Sequence, residues 1–121
     1  MLGWVDQNQT AALLKNASML IFPSRGPESL SRVLLEASAL GVAIAAMNTG
    51  GTPDVVINGK TGLLSVTASG LAKDVRRLRE DEALRSRLGE AARHHAEAQF
   101  DAPAVVERVE QLYFQLLERA A

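Results

Sequence analysis

Apolar positions along this chain of 121 residues follow two patterns. Up to Val66 they come as short continuous runs alternating with helically spaced stretches, and beyond it they recur only at helical spacing. The first element announced is a helix, because Asp6 with Gln9 three residues later forms a capping box for a helix running to about Asn16. Ser18 to Phe22 is then an unbroken apolar run halted by Pro23, the pattern of a parallel strand covered on both faces and therefore central in its sheet. From Ser29 the residues Leu30, Val33, Leu34, Ala37 and Leu40 recur at helical spacing, with Gly41 placed as a C-terminal stop. Val42 to Ala46 reads as a second strand, followed by Asn48-Thr49-Gly50-Gly51 as a tight turn. Thr52 offers a capping hydroxyl before Pro53, which predicts a short helix over Pro53 to Ile57, ended by Asn58-Gly59. Leu63 to Val66 supplies a third strand. Three helices close the chain: one capped by Ser69 and reaching about Arg79, one from Asp81 to about Gln99, and one opened by Pro103.

Strands alternating with helices over short connections call for an α/β fold, part of a doubly wound parallel-sheet, Rossmann-like domain ending in three consecutive helices. Three parallel strands, or four if Leu2 to Val5 pairs, are fewer than such a domain usually holds, so the expectation is a domain whose front part is missing.

Composition narrows the function classes. At 47% hydrophobic and 22% charged the chain is expected to be one soluble globular domain. Thirteen Lys plus Arg against fourteen Asp plus Glu give a net charge of −1, so no overall field favours nucleic acid or an anionic membrane. The absence of cysteine fits a reducing cytoplasm. No apolar run approaches the roughly 18 to 20 residues of a membrane span, and the first residues lack the pattern of a signal peptide.

The candidate chemistry lies in Pro23-Ser24-Arg25-Gly26-Pro27-Glu28-Ser29-Leu30-Ser31-Arg32-Val33-Leu34-Leu35-Glu36-Ala37. Glu28 and Glu36 are eight positions apart, about 12 Å along a helix axis, more than the gap across which paired glycosidase carboxylates flank one bond. They suit instead the two ends of an extended ligand. Between them the N–H groups of Ser29, Leu30 and Ser31, with the positive end of the helix dipole, would receive a diphosphate at the carboxyl end of the first strand. A nucleoside diphosphate sugar has the matching order of parts, with its sugar at Glu28 and its ribose at Glu36. The blander alternatives are that Glu28 merely complements a helix N-terminus, that Glu36 pairs with Arg32 one turn away, and that Gly50 and Gly51 only make a turn, for which ligand contact is an equal option.

These residues resemble glycosyltransferase family 4, whose C-terminal domain carries a Glu-x7-Glu motif after a strand ending in Pro-Ser. The resemblance extends from about Ala11 through Leu64, including Ala39 to Ala45, Thr49-Gly50-Gly51-Thr52-Pro53-Asp54 and Asn58-Gly59-Lys60-Thr61-Gly62-Leu63. It implies a retaining transferase of two Rossmann-like domains (the GT-B architecture), with this chain, residues 1–121, as part of the C-terminal nucleotide-sugar-binding domain. By that resemblance Glu28 contacts the donor sugar and stabilises developing positive charge, Glu36 holds the ribose, and Ser29 and Leu30 offer amides to the sugar and diphosphate. Many relatives have Gly-Phe-Gly where this chain has Ser29-Leu30-Ser31, which narrows the backbone approach to the sugar. The family's diphosphate-neutralising Arg and Lys lie upstream of the motif, and its acceptor site lies in an N-terminal domain, so the isolated chain is expected to be inactive. Arg25 and Lys15 are the cations considered for that charge, with no spacing that assigns it to either.

Other features read as structural. His94 and His95 point about 100° apart on a helix and cannot chelate one metal. Lys73, Arg76, Arg77, Arg79, Arg85, Arg87 and Arg93 are interleaved with acids, the pattern of a solvated, ion-paired face. With no Asp-x-Asp in the chain, neither metal nor cofactor is expected. The last helix carries Val105, Val106, Val109, Leu112, Tyr113, Leu116 and Leu117, more apolar surface than a small sheet covers, and predicts self-association of the chain. A non-catalytic nucleotide-binding or assembly module of the same fold is the alternative function. A dinucleotide-binding oxidoreductase ranks far below, for want of a Gly-x-Gly-x-x-Gly turn.

Overall fold

The computed structural model describes residues 1–27 and 29–121. Its elements are α1 (Gln7–Asn16), β1 (Leu20–Phe22), α2 (Arg32–Ala39), β2 (Ile44–Met47), α3 (Thr52–Val55), β3 (Leu63–Ser65), α4 (Ala68–Glu80), α5 (Glu82–Gln99) and α6 (Ala102–Ala120). The three strands are parallel in the order β1-β2-β3, with Leu20 opposite Ile44 and Ala45 opposite Leu63.

Strand β2 explains the two-layered core. Its side chains alternate between faces, and every residue from Ile44 to Met47 is buried. Ile44 and Ala46 pack with Leu14, Leu34, Ala37, Val55 and Val56 from α1, α2 and the α3 region. Ala45 and Met47 pack on the opposite face with Leu71, Leu78, Leu84 and Leu88 from α4 and α5. Helices thus cover both faces of a parallel sheet, as the alternating pattern requires.

Several expectations need correction. The strand at Ser18 to Phe22 is not central: β1 lies at the edge of the described sheet, and β2 is the middle strand. Helix α4 packs on β2 and β3, so Ile21 on that face of β1 stays 46% exposed. Leu2 to Val5 adds no fourth strand among the described residues. Helix α2 begins at Arg32, three residues after Ser29, because Ser29 and Leu30 run against the Gly50-Gly51 turn. Helix α3 begins at Thr52 with Gly51 as its N-cap, and stops at Val55. Thr52 is fully buried, so its hydroxyl serves no exposed cap. Thr67, not Ser69, caps α4: its extended backbone aims the hydroxyl at the Gly70 amide, 3.0 Å away. The Asn58 to Gly62 turn is closed by the Gly59 N–H donating to the Gly62 carbonyl, while Gly62 itself is needed for close packing, since a Cβ there would meet Val56 Cγ1 at 2.6 Å.

The Asp6–Gln9 capping box, the Asp81 cap and the Pro103 start form as the sequence indicates. Helix α6 buries no residue, and Leu112, Tyr113, Phe114, Leu116 and Leu117 are all exposed.

Candidate functional site

Parallel strands bring three connections to one end of the sheet, where α/β proteins assemble their ligand sites. Phe22 leads into Pro23-Ser24, Met47 into Asn48-Thr49, and Ser65 into Val66-Thr67. The first two connections are fastened together. Thr49 Oγ1 donates to the Ser24 carbonyl at 2.9 Å. Gly50 turns the chain at φ 52, and Gly51 then lies so near the other loop that a Cβ would sit 1.8 Å from the Ser29 carbonyl oxygen. The structural role of this glycine pair is therefore the close packing of the two loops.

Glu28 lies outside the described residues. Ser29 and Leu30 are exposed residues preceding α2, and Ser31 is the N-cap residue, with no side-chain capping bond. The amides at the head of α2 are therefore those of Arg32 and Val33. Ser29, Leu30 and Ser31 present their amides from a loop and a cap position instead of a first turn, which places less of the helix dipole behind them than the sequence suggested.

Glu36 stands one turn further along α2. Arg32 Nε donates to its Oε1 at 3.2 Å, so the i to i+4 pair is present. That bond holds one carboxylate oxygen and leaves Oε2 without a hydrogen-bond partner among the described residues, with the side chain 26% exposed. Glu36 and Arg32 face a groove of about 720 Å³ between α2 and the segment leading into α1, lined also by Trp4, Val5, Gln7 and Thr10. On its other side Glu36 borders a smaller apolar groove with Leu35, Ala39, Ala96 and Phe100, of about 330 Å³. A carboxylate half-committed to an arginine at the edge of an open groove can accept hydroxyl donors from a ligand.

Arg25 and Lys15 separate. Arg25 lies at the carboxyl end of the strands, in a cleft with Thr49 and Thr67. Lys15 lies at the amino end, beside Ser18, Gly41 and Ala43, and is removed from the motif. Residues that sequence reasoning passed over are Trp4 and Arg32 as walls of the Glu36 groove. Trp4 has no periodic partner to reveal it, whereas the i to i+4 spacing of Arg32 already tied it to Glu36.

The histidines stay apart: His94 approaches Glu90 of its own helix at 3.9 Å, and His95 makes a T-shaped ring contact with Phe100. Among the described residues no group of three or more His, Cys, Asp and Glu side chains is placed to hold a metal. The basic residues of α4 and α5 are engaged in part, by Arg79–Glu80 and Arg93–Glu97 pairs and by Arg85, which donates to the carbonyls of Leu78 and Arg79. No helix among the described residues is long and apolar enough to cross a membrane.

Comparison with known proteins decides the family. The model for "Glycosyl transferases group 1" matches residues 1–95. The chain belongs to the group 1 glycosyl transferases. The chain is 34% identical over 113 residues to the N-acetyl-alpha-D-glucosaminyl L-malate synthase of Bacillus anthracis, an alignment covering 92% of the chain and 29% of that protein. Among solved structures, the sucrose-phosphate synthase of Thermosynechococcus elongatus superposes with a TM-score of 0.84 at 32% identity, over 98% of the chain and 30% of the larger protein. HepE of Anabaena, solved in complex with UDP, shares the fold at a TM-score of 0.78 and 23% identity, over 85% of the chain and 29% of HepE. The chain thus spans less than a third of the length of each of these relatives.

Proposed function

We propose that this chain is the donor-binding part of a retaining glycosyltransferase, which moves a sugar from a nucleoside diphosphate to an acceptor hydroxyl. The observation that carries the reading is Glu36: a carboxylate pinned by Arg32 through one oxygen, open through the other, and facing a nucleotide-sized groove. In this reading Glu36 accepts hydrogen bonds from the ribose hydroxyls. Glu28 lies at the sugar end and stabilises positive charge developing there, and the Ser29, Leu30 and Ser31 amides, with the Gly50-Gly51 turn, border the diphosphate and sugar. The fold likeness to a protein solved with UDP, and in a second complex with UDP-glucose, supports the choice of donor class.

The same proposal includes residues 1–121 as a portion of the C-terminal domain of a two-domain enzyme, metal-independent chemistry, and a cytoplasmic location in keeping with the lack of cysteine. It includes inactivity of the chain by itself, because an acceptor site needs a second domain. Calorimetry with UDP, GDP and ADP tests the donor assignment. Binding is expected for at least one nucleotide, weakened roughly tenfold or more by Glu36→Ala through loss of charge-assisted hydrogen bonds. Unchanged affinity in the Glu36 variant removes the ribose assignment.

A second reading is favoured by one observation, the exposed apolar face of α6, a helix that buries no residue. In it the chain is an assembly module that associates through Val109, Leu112 and Leu116. It predicts no nucleotide affinity and a mass above that of the monomer by light scattering.

A further inference from the structure

The connection from α3 into β3 holds an asparagine followed by a glycine, Asn58-Gly59, both exposed. The other asparagines precede Gln9, Ala17 and Thr49. Asparagine is thermolabile because its carboxamide is open to attack by the backbone nitrogen of the next residue. A glycine in that place removes the side chain that would obstruct the approach. The space is open here as well, since nothing among the described residues lies within 4 Å of a Cβ built on Gly59.

The fold nevertheless restrains both reacting groups. The Gly59 N–H donates to the Gly62 carbonyl at 2.8 Å. Asn58 Oδ1 accepts from the Leu64 N–H at 2.9 Å, which turns the carboxamide toward β3, while Nδ2 has no hydrogen-bond partner among the described residues. Buried Thr61 fastens the same turn, its hydroxyl oxygen accepting from the Ile57 N–H at 2.8 Å. For attack, the Gly59 nitrogen must give up its proton and meet Asn58 Cγ, so the turn has to open first.

We propose that Asn58 is a site of spontaneous deamidation, gated by opening of the turn that carries it. The inference is independent of the donor reading. In the opened turn the Gly59 nitrogen bonds to Asn58 Cγ, Nδ2 departs as ammonia with the Gly59 proton, and a succinimide ring closes. Water then adds to one ring carbonyl, whose C–N bond breaks. Hydrolysis at Cγ gives aspartate, and hydrolysis at the main-chain carbonyl gives isoaspartate, in which the chain runs through the former side chain.

The two products differ in what the fold accepts. Aspartate keeps an oxygen where the Leu64 N–H needs an acceptor, and its charge strengthens that bond. Isoaspartate lengthens the main chain by a methylene at a residue that bridges to Gly62. Gly62 has no room to follow, because a Cβ there would already meet Val56 Cγ1 at 2.6 Å and the Ile44 carbonyl oxygen at 2.9 Å. Isoaspartate therefore releases the turn in one direction only.

The experiment incubates the 121-residue chain in mildly alkaline buffer, folded and in denaturing urea, and follows each asparagine by peptide mass mapping, with isoaspartate read by enzymatic methylation. Conversion at Asn58 is expected ahead of Asn8, Asn16 and Asn48. It is expected to run at least roughly tenfold faster in urea, where the Gly59–Gly62 and Asn58–Leu64 bonds no longer oppose it. Thr61→Val removes the acceptor for the Ile57 N–H and is expected to raise the folded-state rate severalfold while leaving the rate in urea unchanged. Asn58→Asp is expected to melt with the wild type, and the isolated isoaspartate form below it. Equal wild-type rates in buffer and in urea remove the gate, a comparison that decides even where Thr61→Val fails to fold. An unconverted Asn58 in urea, while another asparagine converts, overturns the site itself.

Discussion

Gly51 and Ser29 are in backbone contact: a methyl group on Gly51 would lie 1.8 Å from the Ser29 carbonyl oxygen and 2.9 Å from its carbon. No side-chain adjustment relieves such an overlap, because both partners are main chain. Gly51→Ala is therefore expected to cost at least the ~1–3 kcal/mol of ordinary overpacking and to lower nucleotide affinity by moving the Ser29–Leu30 loop. Gly26 is the control, with nothing among the described residues within 4 Å of its hypothetical Cβ. Urea denaturation of Gly51→Ala and Gly26→Ala checks this. A Gly51→Ala midpoint equal to wild type would mean the loops part freely.

Gly89 poses the same question inside a helix. Replacing a mid-helix glycine by alanine ordinarily stabilises by about 1 kcal/mol. Here the added Cβ would fall 2.0 Å from the Gly41 carbonyl oxygen, where α5 crosses the end of α2. Overpacking against backbone outweighs the propensity gain, so Gly89→Ala is expected to be destabilising by at least roughly 1 kcal/mol net. Differential scanning calorimetry would expose the opposite outcome as a raised midpoint.

The capping of α4 separates two neighbouring hydroxyls. Thr67→Ala removes the acceptor for the Gly70 amide and is expected to cost about 1 kcal/mol. Ser69, whose hydroxyl lies 3.2 Å from Thr67 Oγ1, is not the cap, and Ser69→Ala is expected to change stability by less than ~0.5 kcal/mol. Equal losses in the two variants on chemical denaturation would contradict the assignment.

Helix α6 predicts a dissociation between stability and association. Leu112→Ser and Leu116→Ser alter exposed positions and are expected to leave the fold of the chain intact, whereas Leu88→Ala empties a fully buried site and is expected to cost about 2–5 kcal/mol. If the exposed face drives self-association, the serine pair shifts the mass measured by light scattering toward monomer at unchanged circular dichroism. A monomeric wild-type chain at high concentration argues against that surface.

Much of this was readable from the residues because the signals were local. The Asp6–Gln9 box, the apolar runs at Ile21 and Ile44, the Asp81 cap and the Arg32–Glu36 spacing each specify their own geometry. What failed depended on neighbours. An apolar run implies covered faces but is silent on lateral pairing, so it could not reveal that β1 is an edge strand of the described sheet. Leu30 falls in helical register with Val33 and Leu34, yet the packing of Gly51 against Ser29 holds it in a loop and delays α2 to Arg32. Trp4 carries no periodicity, and only the folding of α2 beside the first segment brings it to Glu36.

The loops after β1 and β2 are joined at Thr49–Ser24 and again at Gly51–Ser29, one attachment on each side of position 28 in the sequence. The second loop therefore works as a splint for the first. Substitutions at Asn48, Thr49 or Gly50 would be transmitted to Ser24 and Ser29, the two points of attachment. Residues of the second loop can then reset the positions of Ser24 and Ser29 without belonging to the first loop themselves.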